Sequence, residues 1–278
     1  MIIDTHIHIY DPSRPEGVSW PPPENKLLYR TVLPEHAKAE AVPEGVTGTV
    51  IVEATDWLED NQWVLDLAAD EPFIVGLVGR IDPCTDNFAE SVARFAAHPL
   101  FQGVRFRGKR YFDDIDRGSF MKDMETLAEH DLVLDVGFGK EDMNGFLMML
   151  ERLPELRVMI EHIAGVTVDG NKPDSRWLEH MSQAAAHRQV WMKVSALMEN
   201  SAIQPAPSDV SIYTSTLDAL WDIFGEDRLV YGSNWPVCER AGTYANCVHI
   251  VRTYFSGKHE EAREKFFWKN SQMVYRWK

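Results

Sequence analysis

The chain has 278 residues, of which 45% are hydrophobic and 26% charged, so it has enough apolar material for a large globular core. Its net charge at pH 7 is −15. Such a surface repels nucleic acid and anionic membranes, and we expect neither as a partner. No stretch is apolar for the length that a membrane span requires, and the first residues do not have the pattern of a signal peptide.

The chain contains three cysteines, Cys84, Cys238 and Cys247. They are far apart, odd in number and not arranged in pairs with metal-binding spacing, which predicts free thiols in a reducing compartment. We therefore expect a cytoplasmic protein.

Eight apolar or β-branched segments are predicted to be strands. In chain order these are Ile2–Ile9, Val46–Glu53, Pro72–Ile81, Phe101–Arg107, Leu132–Phe138, Arg157–His162, Val190–Ser195 and Arg228–Gly232. Segments with helical spacing of apolar residues separate them. This alternation is typical of a parallel sheet with right-handed crossovers. About 250 residues are typical of a closed barrel of eight such units. The sequence predicts an α/β fold, a (β/α)8 TIM barrel, as one domain over residues 1–278.

Two long loops are predicted on this barrel. The first, Asp11 to Arg30, is rich in proline and contains Trp20 and Tyr29. Long loops in compact domains are often functional, so this one is either a cover for a pocket or an exposed flap without a role. The second loop, Glu199 to Pro207, follows the seventh strand, and it either shapes the same pocket or is disordered.

The first strand carries the motif His6-Ile7-His8. Side chains alternate between the two faces of a strand, so both imidazoles project from the same face, together with Asp4. Two such imidazoles can chelate a metal, and histidine is also the common proton carrier near neutral pH. The alternative is an amphipathic strand with two surface or structural histidines.

Other chemically active residues also stand where predicted strands end, and the carboxyl ends of barrel strands are where functional groups lie. They are Glu53 and Trp57 after strand two, Arg105 and Arg107 on strand four, His162 after strand six, Lys193 on strand seven, and Asn234 and Trp235 after strand eight.

Several of these segments resemble the amidohydrolase superfamily, in the amidohydrolase-related branch that includes sugar-acid and pyrone-dicarboxylate lactonases. The similarity lies in the first-strand His-x-His, in VMIEHIAG, VWMKVSAL and RLVYGSNWPV, and in their order along the whole chain. The resemblance implies a barrel hydrolase in which His6 and His8 are metal ligands or substrate-polarising groups. It also implies that His162 is a third active-site histidine, acting as base or ligand.

The sequence departs from this family at two positions. The last-strand position that usually holds an aspartate is Asn234, whose amide cannot take up a proton near neutral pH. Asn234 remains a catalytic candidate that orients a water or holds a carbonyl, and the alternative is a structural turn. Strand five carries Asp135 where metal-rich members have a histidine. A catalytic zinc usually has three protein ligands, so these departures leave a divalent metal such as zinc open. No organic cofactor is expected.

Arginine binds carboxylate and sugar-acid oxygens with two hydrogen bonds, so Arg105 and Arg107 are candidate substrate-binding residues. The alternative is a buried ion pair with Glu53 or Asp135. Lys193 is predicted to contact substrate or to pair with Glu53. Trp57 is a further substrate-binding candidate, and Trp235 is either an apolar wall for a ring or part of a structural turn.

These observations predict a hydrolase that opens a small sugar-acid or carboxylated lactone by attack of water on the ring carbonyl. Two alternatives stay open: a metal-dependent decarboxylase of a carboxylated aromatic ring, and a catalytically weakened barrel that binds small acids. The expected partner is a small-molecule substrate. The aromatic tail from Glu260 to Lys278 leaves a homo-oligomer open.

Overall fold

The computed structural model describes residues 1–107, 109–137 and 143–278, without the side chains of residues 107, 109 and 110. Eight strands form one sheet in which each strand pairs in parallel with the next along the chain, in the order β1 to β8. They are β1 Ile3–Ile7, β2 Gly48–Val52, β3 Ile74–Gly79, β4 Phe101–Arg107, β5 Val133–Gly137, β6 Val158–Ile160, β7 Val190–Val194 and β8 Leu229–Tyr231. All eight predicted strands are confirmed, although Phe138 of the fifth prediction lies outside the described residues.

The ring is closed between β1 and the segment that follows β8. Ile7 forms a parallel bridge with Trp235, and the backbone N–H of Asn234 donates to the carbonyl of His6 (2.9 Å). The Thr5 hydroxyl adds a bond to the carbonyl of Tyr231 (2.6 Å). The predicted (β/α)8 barrel is therefore confirmed, and closure places the last-strand residues beside the first-strand histidines.

Helices surround this barrel. They are α1 Pro34–Ala41, α2 Asp60–Ala68, α3 Phe88–Ala96, α4 Lys109–Phe112, α5 Phe120–Glu129, α6 Met143–Arg152, α7 Ser175–Ala185, α8 Ser211–Phe224, α9 Tyr244–Phe255, α10 Glu260–Glu264 and α11 Asn270–Tyr275. Across the described ranges, every helix falls short of the apolar length needed to cross a bilayer.

The C-terminal segment closes the amino-terminal end of the barrel. The amide of Asn270 donates to the carbonyls of Glu226 (2.8 Å) and Leu229 (2.9 Å), where β8 begins. Val274, Tyr275 and Trp277 are buried in one cluster with inward-facing strand residues such as Ile3 and Val133. The aromatic tail therefore packs inside this chain, and the opposite, carboxyl-terminal end of the strands is the end available for a site.

Candidate active site

His6 and His8 lie at the carboxyl-terminal end of β1, as predicted, and both are buried. The Nδ1 atom of His8 lies 3.1 Å from the carbonyl oxygen of Val52 and 3.0 Å from that of Glu53. Carbonyl oxygens only accept hydrogen bonds, so Nδ1 carries the proton and Nε2 keeps its lone pair. The end of β2 therefore fixes the tautomer and orientation of His8.

Glu161 and His162 follow β6, and both side chains lie at the barrel mouth. The sequence predicts that Glu161 faces the helices if His162 faces the site, because neighbours on a strand point in opposite directions. That prediction is wrong. The strand ends at Ile160, and His162 begins a turn with φ near 54°, followed by Ile163 and Ala164 with similar positive values. Glu161 itself is extended and points inward like Met159, so it is fully buried inside the barrel, and the turn brings His162 to the same mouth.

Three histidines and one carboxylate meet at this mouth. The ring centroid of His6 lies 4.9 Å from that of His8 and 4.5 Å from that of His162. Nδ1 of His6 lies 3.3 Å from Oε1 of Glu161. Nδ1 of His162 lies 2.9 Å from the Ser195 hydroxyl, which fixes the orientation of that ring. The predicted convergence of the histidines is confirmed in geometry, whereas their chemical roles stay predictions.

Arg105 on β4 links two carboxylates at the mouth. Its Nε donates to Oε2 of Glu161 (2.7 Å), and its Nη1 donates to Oε1 of Glu53 (2.8 Å). The ion pair with Glu53 that the sequence left as the alternative is therefore present. Only two of the five guanidinium hydrogens are used in these bonds, so binding of substrate by Arg105 stays a prediction.

Lys193 is fully buried on β7 and does not pair with Glu53, so that expectation is wrong. Its Nζ donates to Oδ2 of Asp135 (2.6 Å) and lies 3.8 Å from Oε1 of Glu161. The Tyr275 hydroxyl from the C-terminal segment donates to the same Asp135 carboxylate (2.7 Å). Glu53 is already paired with Arg105, and Asp135 on β5 is the carboxylate that reaches Lys193 across the barrel interior.

Asn234 occupies the mouth beside the histidines, with its backbone at φ 62°, a conformation that asparagine tolerates better than most residues. Its side-chain Nδ2 donates to Oε1 of Glu199 (2.7 Å). The second predicted loop therefore reaches the site through Glu199, whose carboxyl has its pKa raised to about 7 by burial.

The remaining predicted residues are less central. Trp235 is 2% exposed and donates through its indole N–H to Glu239 (2.9 Å), which fits the structural turn that was the alternative to an apolar wall. Trp57 is half-buried and lines a small cavity with Glu53 and Arg80. Trp20 of the first loop lies over the mouth, with its ring centroid 5.4 Å from that of His8. The side chain of Arg107 lies outside the described residues.

Burial controls the charge of the three imidazoles. It lowers the pKa of His8 to about 4 and that of His162 to about 3, and it lowers the pKa of His6 as well. Burial by itself raises the pKa of Glu161, but Arg105, His162 and Lys193 together hold it below its ordinary value. At neutral pH the rings are therefore uncharged, and their lone pairs can bind a cation.

The charge and bonding of this site fit a cation. Arg105 is paired with Glu53 and Glu161, and Lys193 is paired with Asp135, so two cationic side chains face three carboxylates. Nε2 of His6 and Oε1 of Glu161 are buried and have no hydrogen-bond partner among the described residues. Polar atoms buried without a partner are costly in free energy and need an explanation.

Among the described residues, the group that could hold a metal ion is His6, Glu161 and His162, whose ligand atoms all lie within 4.8 Å of one another. Imidazole nitrogens and a carboxylate oxygen are typical zinc ligands, and three protein ligands are typical of a catalytic zinc. Of the predicted metal pair, this group contains His6 but not His8. The donor set thus fits a divalent metal.

Three residues of the site were missed by the sequence analysis: Glu161, Glu199 and Ser195. A signal existed for Glu161, since a charged residue directly after the apolar run VMI must be paired if it is buried. No local pattern marks Glu199 or Ser195. Their contacts, Asn234 and His162, lie 35 and 33 positions away in the chain.

Comparison with known proteins places this geometry in context. A family model described as amidohydrolase matches residues 3–277. The chain is 30% identical over 246 residues to an L-fucono-1,5-lactonase of Burkholderia ambifaria, covering 88% of this chain and 83% of that protein. It is 25% identical over 280 residues to a second L-fucono-1,5-lactonase, that of Burkholderia multivorans, covering 96% of this chain and 92% of that protein.

A solved structure supports the fold. The crystal structure of an amidohydrolase from Burkholderia multivorans with bound zinc superposes with a TM-score of 0.88 at 23% identity, over the full length of both chains. Because the family model spans nearly the whole sequence, the resemblance seen in the motifs is confirmed. The chain belongs to the amidohydrolase family, and it is a hydrolase.

Proposed function

We propose that this protein hydrolyses a small sugar-acid lactone, with L-fucono-1,5-lactone as the first candidate. The observation that carries the proposal is the buried group of His6, Glu161 and His162, in which two polar atoms have no partner within the part of the chain that the structure describes. The lactonase of Burkholderia ambifaria that is 30% identical over most of both chains supports the choice of substrate.

The reaction adds the oxygen of water to the ring carbonyl carbon and breaks the bond between that carbon and the ring oxygen. The product is an open hydroxy acid, in which the former ring oxygen carries a proton taken from the water. The site must therefore hold the water, remove its proton, stabilise the negative charge on the carbonyl oxygen and return a proton to the leaving oxygen.

His6, Glu161 and His162 would hold a divalent metal, most simply zinc. When bound, such a metal polarises a carbonyl oxygen and lowers the pKa of water. This assignment gives His162 the ligand role, one of the two that the sequence left open. The Ser195 hydroxyl at Nδ1 of His162 then acts as the partner that orients the ring.

His8 is the proton acceptor in this proposal. Two backbone carbonyls hold the proton of His8 on Nδ1, so Nε2 presents a lone pair. The pKa of His8 is lowered to about 4 by burial, so the ring is in its basic form throughout the neutral range. A base whose orientation is fixed by a second group is the usual arrangement in hydrolases.

Arg105 contributes positive charge and positions Glu161. Its bonds to Glu161 and Glu53 hold the guanidinium rigidly at the mouth, and its free N–H groups can bind the hydroxyl or carbonyl oxygens of a lactone. Arg105 is about 15% exposed, so its remaining N–H groups can be reached from the mouth.

The test is to incubate the purified protein with L-fucono-1,5-lactone and a panel of aldonolactones, with and without added zinc, and to follow acid release with a pH indicator. We expect acid release above the spontaneous rate from at least one lactone. Absence of release from every lactone under both conditions would overturn the proposal. In a parallel incubation with a carboxylated aromatic acid, release of carbon dioxide would instead identify the decarboxylase.

A further inference from the structure

Asn234 raises a chemical problem, because the position that usually holds a carboxylate in the family carries an amide. The structure places a carboxylate next to this amide, since the side chain of Glu199 contacts that of Asn234. Oε1 of Glu199 accepts a hydrogen bond of 2.7 Å from Nδ2 of Asn234, and Glu199 comes from the loop after β7. The other oxygen, Oε2 of Glu199, is buried and has no hydrogen-bond partner among the described residues.

This contact determines which way the Asn234 amide points. Above its pKa of about 7 the Glu199 carboxylate is ionised and has no hydrogen to donate, so it accepts only from the NH2 side of the amide. The carbonyl Oδ1 is therefore turned away from Glu199. Backbone bonds hold Asn234 beside His8, since the N–H of His8 donates to the carbonyl of Trp235 (2.9 Å), and Nδ1 of His8 is already occupied by backbone carbonyls.

Two hydrogen-bond acceptors, Oδ1 of Asn234 and Nε2 of His8, are thus brought to the same part of the mouth. One water molecule has two hydrogens and can donate one to each acceptor. Water held in this way has its oxygen lone pairs free for attack, which is the orientation that hydrolysis requires. The amide cannot remove a proton, but it can fix the position of the nucleophile.

We propose that Glu199 is a positioning residue that holds the Asn234 amide with Oδ1 toward His8, so that the two residues together orient the attacking water. The proposal rests on the proposed lactone hydrolysis for its kinetic consequence. Backbone anchoring supports it, because the N–H of Asn234 donates to the carbonyl of His6 (2.9 Å) and leaves only the side-chain amide to be oriented.

The first test compares two variants of Glu199. Glu199→Gln keeps an oxygen that accepts from Asn234, whereas Glu199→Leu removes the acceptor at similar size. We expect Glu199→Leu to lower kcat by about 30-fold or more, with KM changed less than about threefold, and Glu199→Gln to keep kcat within about threefold. Glu226→Leu and Glu226→Gln, at a carboxylate paired with Lys265 outside the barrel, are matched controls.

Two outcomes overturn the proposal: wild-type kcat in Glu199→Leu, or an equal loss in Glu199→Gln and Glu199→Leu. The second would mean that charge, and not the direction of the hydrogen bond, is what Glu199 supplies. A transposed pair extends the test. Asn234→Asp together with Glu199→Gln exchanges donor and acceptor, and we expect it to be more active than Asn234→Asp, in which two carboxylates face each other. The reverse order of activity contradicts the proposal.

A structural measurement separates this inference from the choice of substrate. In crystal structures of the wild type and Glu199→Leu, we expect the Asn234 amide to leave its position only in the variant. An amide that stays in place without Glu199 overturns the positioning role, whether or not a lactone substrate has been found. Absence of lactonase activity with a displaced amide overturns the proposed function alone.

Discussion

The two ends of the barrel interior handle buried charge differently. At the inner end, both oxygens of the Asp135 carboxylate have partners, because Asp135 receives hydrogen bonds from Lys193 and Tyr275. At the mouth, Nε2 of His6, Oε1 of Glu161 and Oε2 of Glu199 are buried without one among the described residues. Buried polar atoms are normally satisfied, so the unpartnered atoms gathered beside the three histidines are ones that a ligand would satisfy, whereas the Asp135 carboxylate is already satisfied by the protein.

The largest expected effect comes from Glu161, which joins the histidines to the cationic side chains. Glu161→Gln keeps the shape but removes the charge that faces Arg105 and Lys193. We expect kcat/KM for the lactone to fall by about 1,000-fold or more, since charge preorganised at a reacting centre is usually worth that much. Glu226→Gln is the control. A loss below tenfold would place the reactive group elsewhere.

Glu199, at the mouth, should make the stability of the protein depend on pH. Burial raises the pKa of its carboxyl from 4.5 to about 7 in the folded state. The folded protein therefore binds more protons than the unfolded chain between these values, and this residue destabilises the fold as pH rises from 4.5 to 7.

In Glu199→Gln this dependence disappears. We expect the free energy of unfolding of the variant, relative to wild type, to rise by about 3 kcal/mol between pH 4.5 and pH 8, as measured by urea denaturation. A constant difference in the free energy of unfolding across this range would show that burial does not raise the pKa of the Glu199 carboxyl.

Cation binding should distinguish the two ends directly. Protein treated with a chelator and then titrated with zinc should gain about 2.7 kcal/mol of stability at a zinc concentration 100 times the dissociation constant, seen as a higher Tm. His6→Ala should lose this gain, whereas His130→Ala, an exposed histidine, should keep it. An equal gain in His6→Ala would exclude the mouth as the zinc site.

The smallest effect on activity is expected at the inner end. Tyr275→Phe removes one donor to Asp135 and should lower the free energy of unfolding by about 1–3 kcal/mol, because a buried acceptor loses a partner. Since Lys193 still pairs with Asp135, kcat should stay within about threefold of wild type. A large loss of kcat with little loss of stability would show that the inner end takes part in the reaction.

The sequence predicted the barrel and the approach of His6, His8 and His162 because both follow from local patterns. Strands were visible as apolar runs, and the parallel topology then fixed where their ends meet. Glu161 was misplaced because the turn with positive φ begins at His162, the last residue of the predicted strand, and brings His162 to the mouth beside Glu161. Such a change in backbone conformation has no signature in side-chain alternation.

The partners of Lys193, Asn234 and Asp135 could not be predicted from the sequence. Several carboxylates or donors lie near each of them, and the packing of the fold decides which one is in contact. Lys193 pairs with Asp135, 58 positions away, and Tyr275 reaches Asp135 from 140 positions away. A sequence shows that a buried charge needs a partner but not which of the nearby groups supplies it.

The claim that the reaction takes place at the mouth is tested most directly by the rate of L-fucono-1,5-lactone hydrolysis. This rate is measured side by side for zinc-loaded wild type, Glu161→Gln and Tyr275→Phe. We expect the wild type and Tyr275→Phe to hydrolyse the lactone at similar rates, and Glu161→Gln to be slower by about three orders of magnitude. Equal rates in Glu161→Gln and the wild type would contradict it.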